Sequence, residues 1–371
     1  MKTVRRLFYR DIVSAVVFVA LAFLSLFFFI DFVDELGDVG TVGYTLLHAA
    51  LYSLLQAPGH LYELAPIAVL IGTIYALARL AQSSEFTILR TGGLGPGRAL
   101  TLLTTLGLVF ALLTYLVGDY LAPLSERQAS ELQAQVKGGL RVGRSGAWLK
   151  DRRMTPTGER SFSINVGSAG ADATLQDVRI FEFDADGRMV RRVAAKSARI
   201  AGDDTWALKD VQVTDWQAGD ANGGAPEARE DHLPTLNWAS TLSTGVVAAA
   251  VLPLSTMSTV ELFRYIGHLA SNEQAAQQYE IQFWKRALYP FACLVMVGLA
   301  LPFAYLHARA GGVSLKVFGG IMLGISFVLL NNVAGHLGLL RDWTPWMVAA
   351  APSALYLLLS MAAFSWLVRY R

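Results

Sequence analysis

Three long apolar stretches, a polar block patterned for strands, and three more long apolar stretches succeed one another along the chain, and this order constrains the fold more than any other feature. A helix that crosses a bilayer needs about 20 consecutive apolar residues. Ile12–Val33, His60–Ala81 and Ala99–Leu121 meet that need before the polar block, and Phe283–Leu306, Lys316–Leu339 and Trp343–Val368 meet it afterwards. Only 16% of residues are charged, against about 25% in soluble domains. The chain is predicted to be an integral membrane protein with one domain outside the bilayer. The basic start, Met1–Arg10, resembles a signal peptide, but the apolar run that follows is too long and lacks a small-residue cleavage site.

Basic residues beside spans mark the cytoplasmic side. Lys2, Arg5, Arg6 and Arg10 place the N-terminus inside, and Asp34, Glu35 and Asp38 place the next connection outside. Arg79, Arg90 and Arg98, then Arg309 and Lys316, then Arg369 and Arg371 return the chain to the cytoplasm. Six spans with both termini cytoplasmic and the polar block outside satisfy every bias. The net charge is +2 and the basic residues are scattered, so the footprint of a nucleic-acid binder is missing. Cys293 is the single cysteine and lies in the fourth apolar stretch, so no disulfide is expected in the outer domain.

From Pro123 to about Leu254 the apolar period changes to two, the signature of half-buried strands. Phe162, Ile164 and Val166 alternate, as do Phe181 and Phe183, Trp206 and Leu208, then Val211 and Val213. Asp184–Gly187, Gly202–Asp204 and Gly219–Gly224 read as turns. The predicted class is a 3+3 helical membrane protein with an inserted all-β domain: a sandwich, jellyroll or half-open barrel. Ser125–Gln135 reads as a short polar helix. Ser255–Ala276 reads as a helix at the membrane surface, with Val260, Phe263, Ile266 and Leu269 at helical spacing, and Tyr44–Gln56 as a similar piece before Pro58-Gly59. The domain limits are 1–123, 124–254 and 255–371.

Catalytic patterns are poor. Ser326 and His336 share the fifth span but lie roughly 15 Å apart along its axis, too far for a nucleophile–base pair. Gly92–Ala99 has the glycines of a phosphate-binding loop but carries Arg98 and Ala99 where that loop needs Lys and Ser/Thr. The six histidines, His60 among them, are dispersed and read as surface or interfacial residues, with no metal-ligand spacing.

Three segments do suggest function. In Gln82–Gly93, Ser83 or Ser84 caps a short helix, Glu85 suits its positive end, and Phe86, Ile88 and Leu89 offer apolar contact on the cytoplasmic side; docking of a partner and packing onto the spans are both open. At the outer end of the first span, Phe27, Phe28, Asp31, Asp34 and Glu35 share a face, turned to a cavity or simply solvated. The fifth span carries Gly319-Gly320, Gly324 and Asn331-Asn332. The glycines fit close packing, and the asparagines suggest a polar-lined cavity.

Phe32-Val-Asp-Glu-Leu36, Leu80–Gly93, Gly118-Asp-Tyr-Leu-Ala-Pro123 and Ala300-Leu-Pro-Phe303 before a Gly-rich span together resemble the LptF/LptG permeases, the paired membrane subunits of the lipopolysaccharide-export ABC transporter. The resemblance covers essentially the whole chain and is nearer the G-type subunit. It implies a non-enzymatic permease of the bacterial inner membrane with a periplasmic β-jellyroll. The implied partners are an F-type permease subunit, a cytoplasmic ATPase dimer and a single-span accessory jellyroll subunit. Lipopolysaccharide is the implied substrate. This chain binds no cofactor in that scheme, and ATP and Mg belong to the ATPase. Ser84, Glu85, Phe86, Ile88, Leu89 and Arg90 would couple to the ATPase. Leu24, Phe27, Phe28, Asp31, Leu64, Gly324, Phe327 and Asn331 would line the lipid cavity.

The chain departs from G-type subunits at one point. Where they carry lysines near the outer end of the first span and arginines after the third, it has Asp31, Gly37 and Asp38, and Ser130 and Gln133. Contacts to lipid phosphate would then come from Arg127 or Lys137, from the partner subunit, or through divalent cations, unless the lipid is less anionic. The other readings are an F-type or other-lipid permease of the same superfamily, or a membrane-anchored envelope scaffold without transport activity.

Overall fold

A computed structural model describes residues 2–40, 43–83, 85, 88, 91, 95–137, 140–141, 146–155, 158–169, 174–201, 205–217, 227–240, 242, 247, 254, 257–271, 276–305 and 312–369. Six helices among them are long and apolar enough to cross a membrane. The chain forms two compact units. One comprises Met1–Gly37, Ser53–Ser125 and Gln277–Arg371, and the other comprises Asp38–Tyr52 and Glu126–Ala276.

The helical unit is built from α1 (Lys2–Leu36), α2 (Leu46–Gln82), α3 (Pro96–Leu116), α6 (Gln277–Tyr305), α7 (Val313–Leu340) and α8 (Pro345–Arg369). Phe8 and Ile12 of α1, Leu70, Ile74 and Leu77 of α2, Leu103 of α3 and Met296 and Leu301 of α6 form its core. Small residues bring the helices together, as expected where lipid supplies no hydrophobic drive between them. A Cβ on Gly72 would lie 2.6 Å from the Val16 backbone, so α1 and α2 cross in contact. Gly320 and Gly324 of α7 receive Ile74 and Ile67 of α2. Packing thus accounts for these two glycines.

Two expected breaks are absent. α2 runs unbroken through Pro58 and Pro66, so Tyr44–Gln56 is not a separate piece before the second span. At the end of α3 the chain widens into one π-turn, Val117–Leu121, before continuing as α4 (Ala122–Lys137). The Ala122 amide donates to the Val117 carbonyl, five residues back. Pro123 explains the turn: its ring would strike the carbonyl of Asp119 in a regular helix and it has no N–H to offer there. The same turn seats Gly118 under the Tyr62 ring and buries Asp119.

The β unit is an antiparallel meander of β1 (Leu140–Arg141), β2 (Ala147–Thr155), β3 (Gly158–Ala169), β4 (Thr174–Phe183), β5 (Met189–Ala201), β6 (Thr205–Gln217) and β7 (Glu227–Ala239). β1 and β2 share one edge of β3, and each later strand pairs with its predecessor. Leu149, Ile164, Ile180, Val193, Trp206 and Leu208 point into one core, and Leu236 and Trp238 of β7 pack onto it. The sheet is therefore curled, in keeping with the jellyroll-like, half-open class expected. The Asp184–Gly187 turn forms as read: Asp184 Oδ1 accepts the amides of Asp186 and Arg188, and Gly187 takes φ +76°. The turns at 202–204 and 219–224 lie outside the described residues.

The strand phase differs from expectation in β4. Inward positions are Val178, Ile180 and Glu182, and Phe181 sits on the other face, stacked 6.0 Å from Trp148. The cause is a break in the ladder that runs from β3 to β7, with the register kept on either side of it. The ladder omits the pairs Gly167/Asp177, Asp177/Lys196, Lys196/Asp210 and Asp210/Pro234, one in each strand pair from β3 to β7. Inward residues are three apart at that line: Leu175 and Val178, Ala195 and Ala198, Leu208 and Val211. Asp177 and Asp210 take φ +52° and +55°, which Asp tolerates better than most residues. Pro234 falls on the same line in the edge strand, where a missing donor costs least. The line creases the sheet and lets it close over its core.

The remaining helix, α5 (Thr259–Ser271), starts with a capping box: Glu261 accepts from Ser258 N (2.9 Å) and Oγ (3.0 Å), and Ser258 Oγ faces the Glu261 amide. Its buried stripe is Leu262, Tyr265 and Leu269, whereas Val260 and Phe263 are exposed. The expected stripe of Val260, Phe263, Ile266 and Leu269 is therefore rotated, because Leu262 and Tyr265 carry the packing.

Candidate functional site

α1 lies antiparallel on α2, and polar contacts bind it near both ends. At one end Arg79 donates to Asp11 at 2.9 Å. At the other, Asp31 Oδ2 is 2.7 Å from His60 Nε2, and the Phe27 ring sits 4.7 Å from the imidazole. Asp31 is thus neither bare nor simply solvated, and His60 is not a dispersed surface histidine. The sequence marks each as an ionisable group at the edge of an apolar stretch, where partners are expected, but does not pair the two. Between these contacts α1 is little buried. Only 17% of its most apolar window is covered, as is 22% of that of α7, against 72% in α2.

Residues expected to line the cavity divide into two groups. Leu24, Phe27, Asp31 and Leu64 are half-buried, Phe28 is exposed and stacks with Phe32 at 6.1 Å, and Asn331 is half-buried with its amide on the Phe327 carbonyl. Phe327 and Gly324 point inward instead. Phe327 is fully buried, edge-on to Tyr356 at 5.2 Å, and Gly324 is filled by Ile67. These two carry packing, since nothing larger fits at Gly324 and Phe327 has no open face.

The expected phosphate contacts fare differently. Arg127 is bound to Glu261 at 2.5 Å, so its charge braces the α5 capping box and is not open to a ligand. Burial alone would raise the Glu261 carboxyl, but the bonds from Arg127 and Ser258 hold it below its usual value. The Lys137 side chain lies outside the described residues. Lys285 of α6 went unread in the sequence. Its ammonium lies against Gly335 of α7, with no carboxylate partner among the described residues, one helical turn from Asn331 and Asn332. The cue was a lysine just inside an apolar span.

In the segment between α2 and α3, Glu85, Ile88 and Thr91 are helical, Ile88 and Glu85 are exposed, and Thr91 bonds the Ile88 carbonyl at 2.9 Å. Ser84, Phe86, Leu89, Arg90 and the glycines 92–94 lie outside the described residues. Gly95 and Pro96 begin α3 in the manner of a helix start.

The hydrolase pairing has no geometric basis. Ser326 bonds the Leu323 carbonyl and the Tyr356 hydroxyl, and His336 bonds the Asn332 carbonyl on its own helix. Neither side chain is bonded to the other.

Comparison with known proteins agrees with this architecture. The family described as lipopolysaccharide export system permease LptF/LptG matches residues 6–368. The lipopolysaccharide export system permease protein LptG of Escherichia coli strain K12 is 26% identical over 355 residues, covering 95% of each chain. Its namesake in Haemophilus influenzae is 24% identical over 365 residues, covering 96% of each. With one family match running from the first turns of α1 to the end of α8, the chain belongs to the LptF/LptG permease family.

Proposed function

We propose that the chain is the G-type permease subunit of a lipopolysaccharide exporter in the bacterial inner membrane, acting beside an F-type permease and an accessory single-span jellyroll subunit. The observation that carries this reading is the exposure of α1 and α7, which leave long apolar faces uncovered in the single chain. Phe18, Leu21 and Phe29 on α1 and Leu315, Ile325 and Leu329 on α7 are all exposed. Faces of that size fit a partner subunit and the acyl chains of a lipid held between them.

Leu24, Phe27, Phe28 and Asp31, with Leu64 and Asn331, form the lipid-facing wall, and Gly324 and Phe327 hold it from behind. Lys285 meets the lipid's anionic groups, because Arg127 is neutralised by Glu261. The helix bearing Glu85 and Ile88 receives the stroke of a cytoplasmic ATPase dimer, which binds the ATP and Mg. With both termini cytoplasmic, that stroke narrows the cavity and lifts the lipid towards the periplasmic β unit. Each methylene drawn from the bilayer needs apolar cover worth about 0.8 kcal/mol, which an apolar sheet interior can supply.

Co-expression with a candidate F-type permease and ATPase tests the reading. Lipopolysaccharide should stimulate ATP hydrolysis by the purified complex, and Glu85→Lys should uncouple hydrolysis from lipid release. A chain that captures no ATPase sinks it.

A further inference from the structure

The cations of the β unit divide by sheet face. Arginines on the rows that carry the core meet carboxylates: Arg153 meets Asp151, Arg160 meets Glu182, Arg191 meets Asp215 and Arg229 meets Asp231. The outward-facing rows are different. Lys150 of β2, Arg179 of β4 and Arg192 of β5 are exposed, and none has an ion-pair or side-chain hydrogen-bond partner among the described residues. Register explains this. Arg179 faces Asn165 and Ala194 across the strands, and Arg192 faces Phe181 and Thr214, so no carboxylate stands opposite either. Further along the Arg192 row, Glu230 of β7 lies two strands away, roughly 10 Å from the spacing of neighbouring strands.

An aromatic pair sits among these cations. Trp148 is 53% exposed, and its ring stacks on Phe181 with centroids 6.0 Å apart and planes 19° from parallel. Phe181 is the direct cross-strand neighbour of Arg192 and lies two residues from Arg179 on the same face, and Ser163 separates it from Lys150 in the same row. Lysine on an edge strand such as β2 guards against edge pairing, but β4 and β5 are interior strands and need no such guard. Nor does the face suit a protein partner, whose contact centre is apolar and depleted of charge. Here the positions between the cations are small or polar: Ser161, Ser163, Ala194 and Thr214. The ring face of Trp148 is electron-rich and attracts C–H groups, arginine and lysine bind carboxylate and phosphate, and hydroxyls exchange hydrogen bonds with hydroxyls. A sugar bearing acidic groups offers all three complements.

We propose that the outward face of β2–β5 is a saccharide platform for the anionic sugar headgroup of the transported lipid, with Trp148 stacking on a sugar ring and Lys150, Arg179 and Arg192 binding its carboxylate or phosphate groups. The platform rests on the reading of this chain as a lipopolysaccharide exporter and adds a contact for the part of the lipid that carries no acyl chain. On an open, polar face sugars and charges keep much of their hydration. Binding there is set by charge and stacking, weakens as salt rises and does not depend on acyl chains.

The test uses the full chain in complex with its permease and ATPase partners. The probe is the lipid-free saccharide released from purified lipopolysaccharide by mild acid and labelled with a fluorophore. The native complex should bind it with an affinity that falls as salt rises, and should not bind neutral dextran. Arg179→Ser with Arg192→Ser should weaken binding about tenfold and flatten the salt dependence. Trp148→Ala should weaken it about tenfold and leave the salt dependence unchanged. These side chains are exposed, so the melting transition should stay native, and Lys150→Gln on the edge strand, expected to weaken binding severalfold, serves should either variant not fold. Undiminished binding in folded variants overturns the platform. Poly-glutamate bound as tightly as the saccharide, by the native complex and by Trp148→Ala alike, marks a basic face open to any acidic polymer or protein segment and overturns the sugar assignment. No saccharide binding while lipopolysaccharide still stimulates ATP hydrolysis overturns the platform alone, and absence of both overturns the export reading.

Discussion

α1 and α2 are neighbouring antiparallel helices of similar length, yet their burial is opposite. α1 is the most apolar of the six spans and the least buried, and α2 is only fifth in hydropathy and the most buried. In water the apolar face of a helix is its core face. In a bilayer the core is built by shape, with Gly72, Ala68, Ala76 and Ala78 allowing α2 to be surrounded closely. The excess leucine and phenylalanine of α1 instead faces what lies outside the chain. Hydropathy thus finds the spans but, between α1 and α2, ranks their burial backwards.

The sharpest way to break the comparison is at the crossing. Gly72→Leu drives a side chain into the Val16 backbone and should cost about 3 kcal/mol or more, read as a lost or lowered melting transition in detergent. Next, Leu70→Ala opens a cavity in the fully buried face of α2 and should cost about 2–3 kcal/mol. Asp31→Asn or His60→Ala loosens the tie of α1 to α2 at Asp31 and should cost about 1 kcal/mol, with greater exchange of α1 amides by hydrogen–deuterium exchange. Leu21→Ala, on the exposed face of α1, should change stability by under about 0.5 kcal/mol but weaken co-purification of the partner permease. If Leu21→Ala and Leu70→Ala cost the same, burial in the single chain does not describe the protein in its membrane.

The contrast can be carried to the β unit, where water makes titration the probe. Burial lowers His268 below its usual 6.5, only partly offset by Asp151, and Glu261 is held below 4.5. For both groups the unfolded state takes up protons first as pH falls. Stability of α5 is therefore full near neutral pH, begins to fall below about 6.5 and falls again below about 4.5. Glu261→Gln should remove the second step, as followed by pH-dependent hydrogen exchange of residues 259–271.

Much of this was legible in the residues because it is local: the six spans, the Asp184–Gly187 turn, the alternation of Phe162, Ile164 and Val166. The three-residue steps from Leu175 to Val178 and from Leu208 to Val211 were visible too, but only the register across five strands shows them to be one crease. What local pattern does not encode is pairing at a distance. Nothing near Asp31 announces His60, and nothing near Arg127 announces Glu261. Pro58 and Pro123 look alike as helix breakers. Yet α2 absorbs one and α3 answers the other with a π-turn, since only tertiary contacts, such as Gly118 under Tyr62, decide which adjustment is made.

The central claim is that the exposed faces of α1 and α7 meet the transported lipid. Photoactivatable residues placed in cells at Phe28 of α1 and Leu329 of α7, with Leu112 of α3, about as exposed as Leu329, as comparison, test it directly. Lipopolysaccharide should cross-link at Phe28 and Leu329 and not at Leu112. Equal labelling at all three, or labelling at Leu112 alone, would contradict the account.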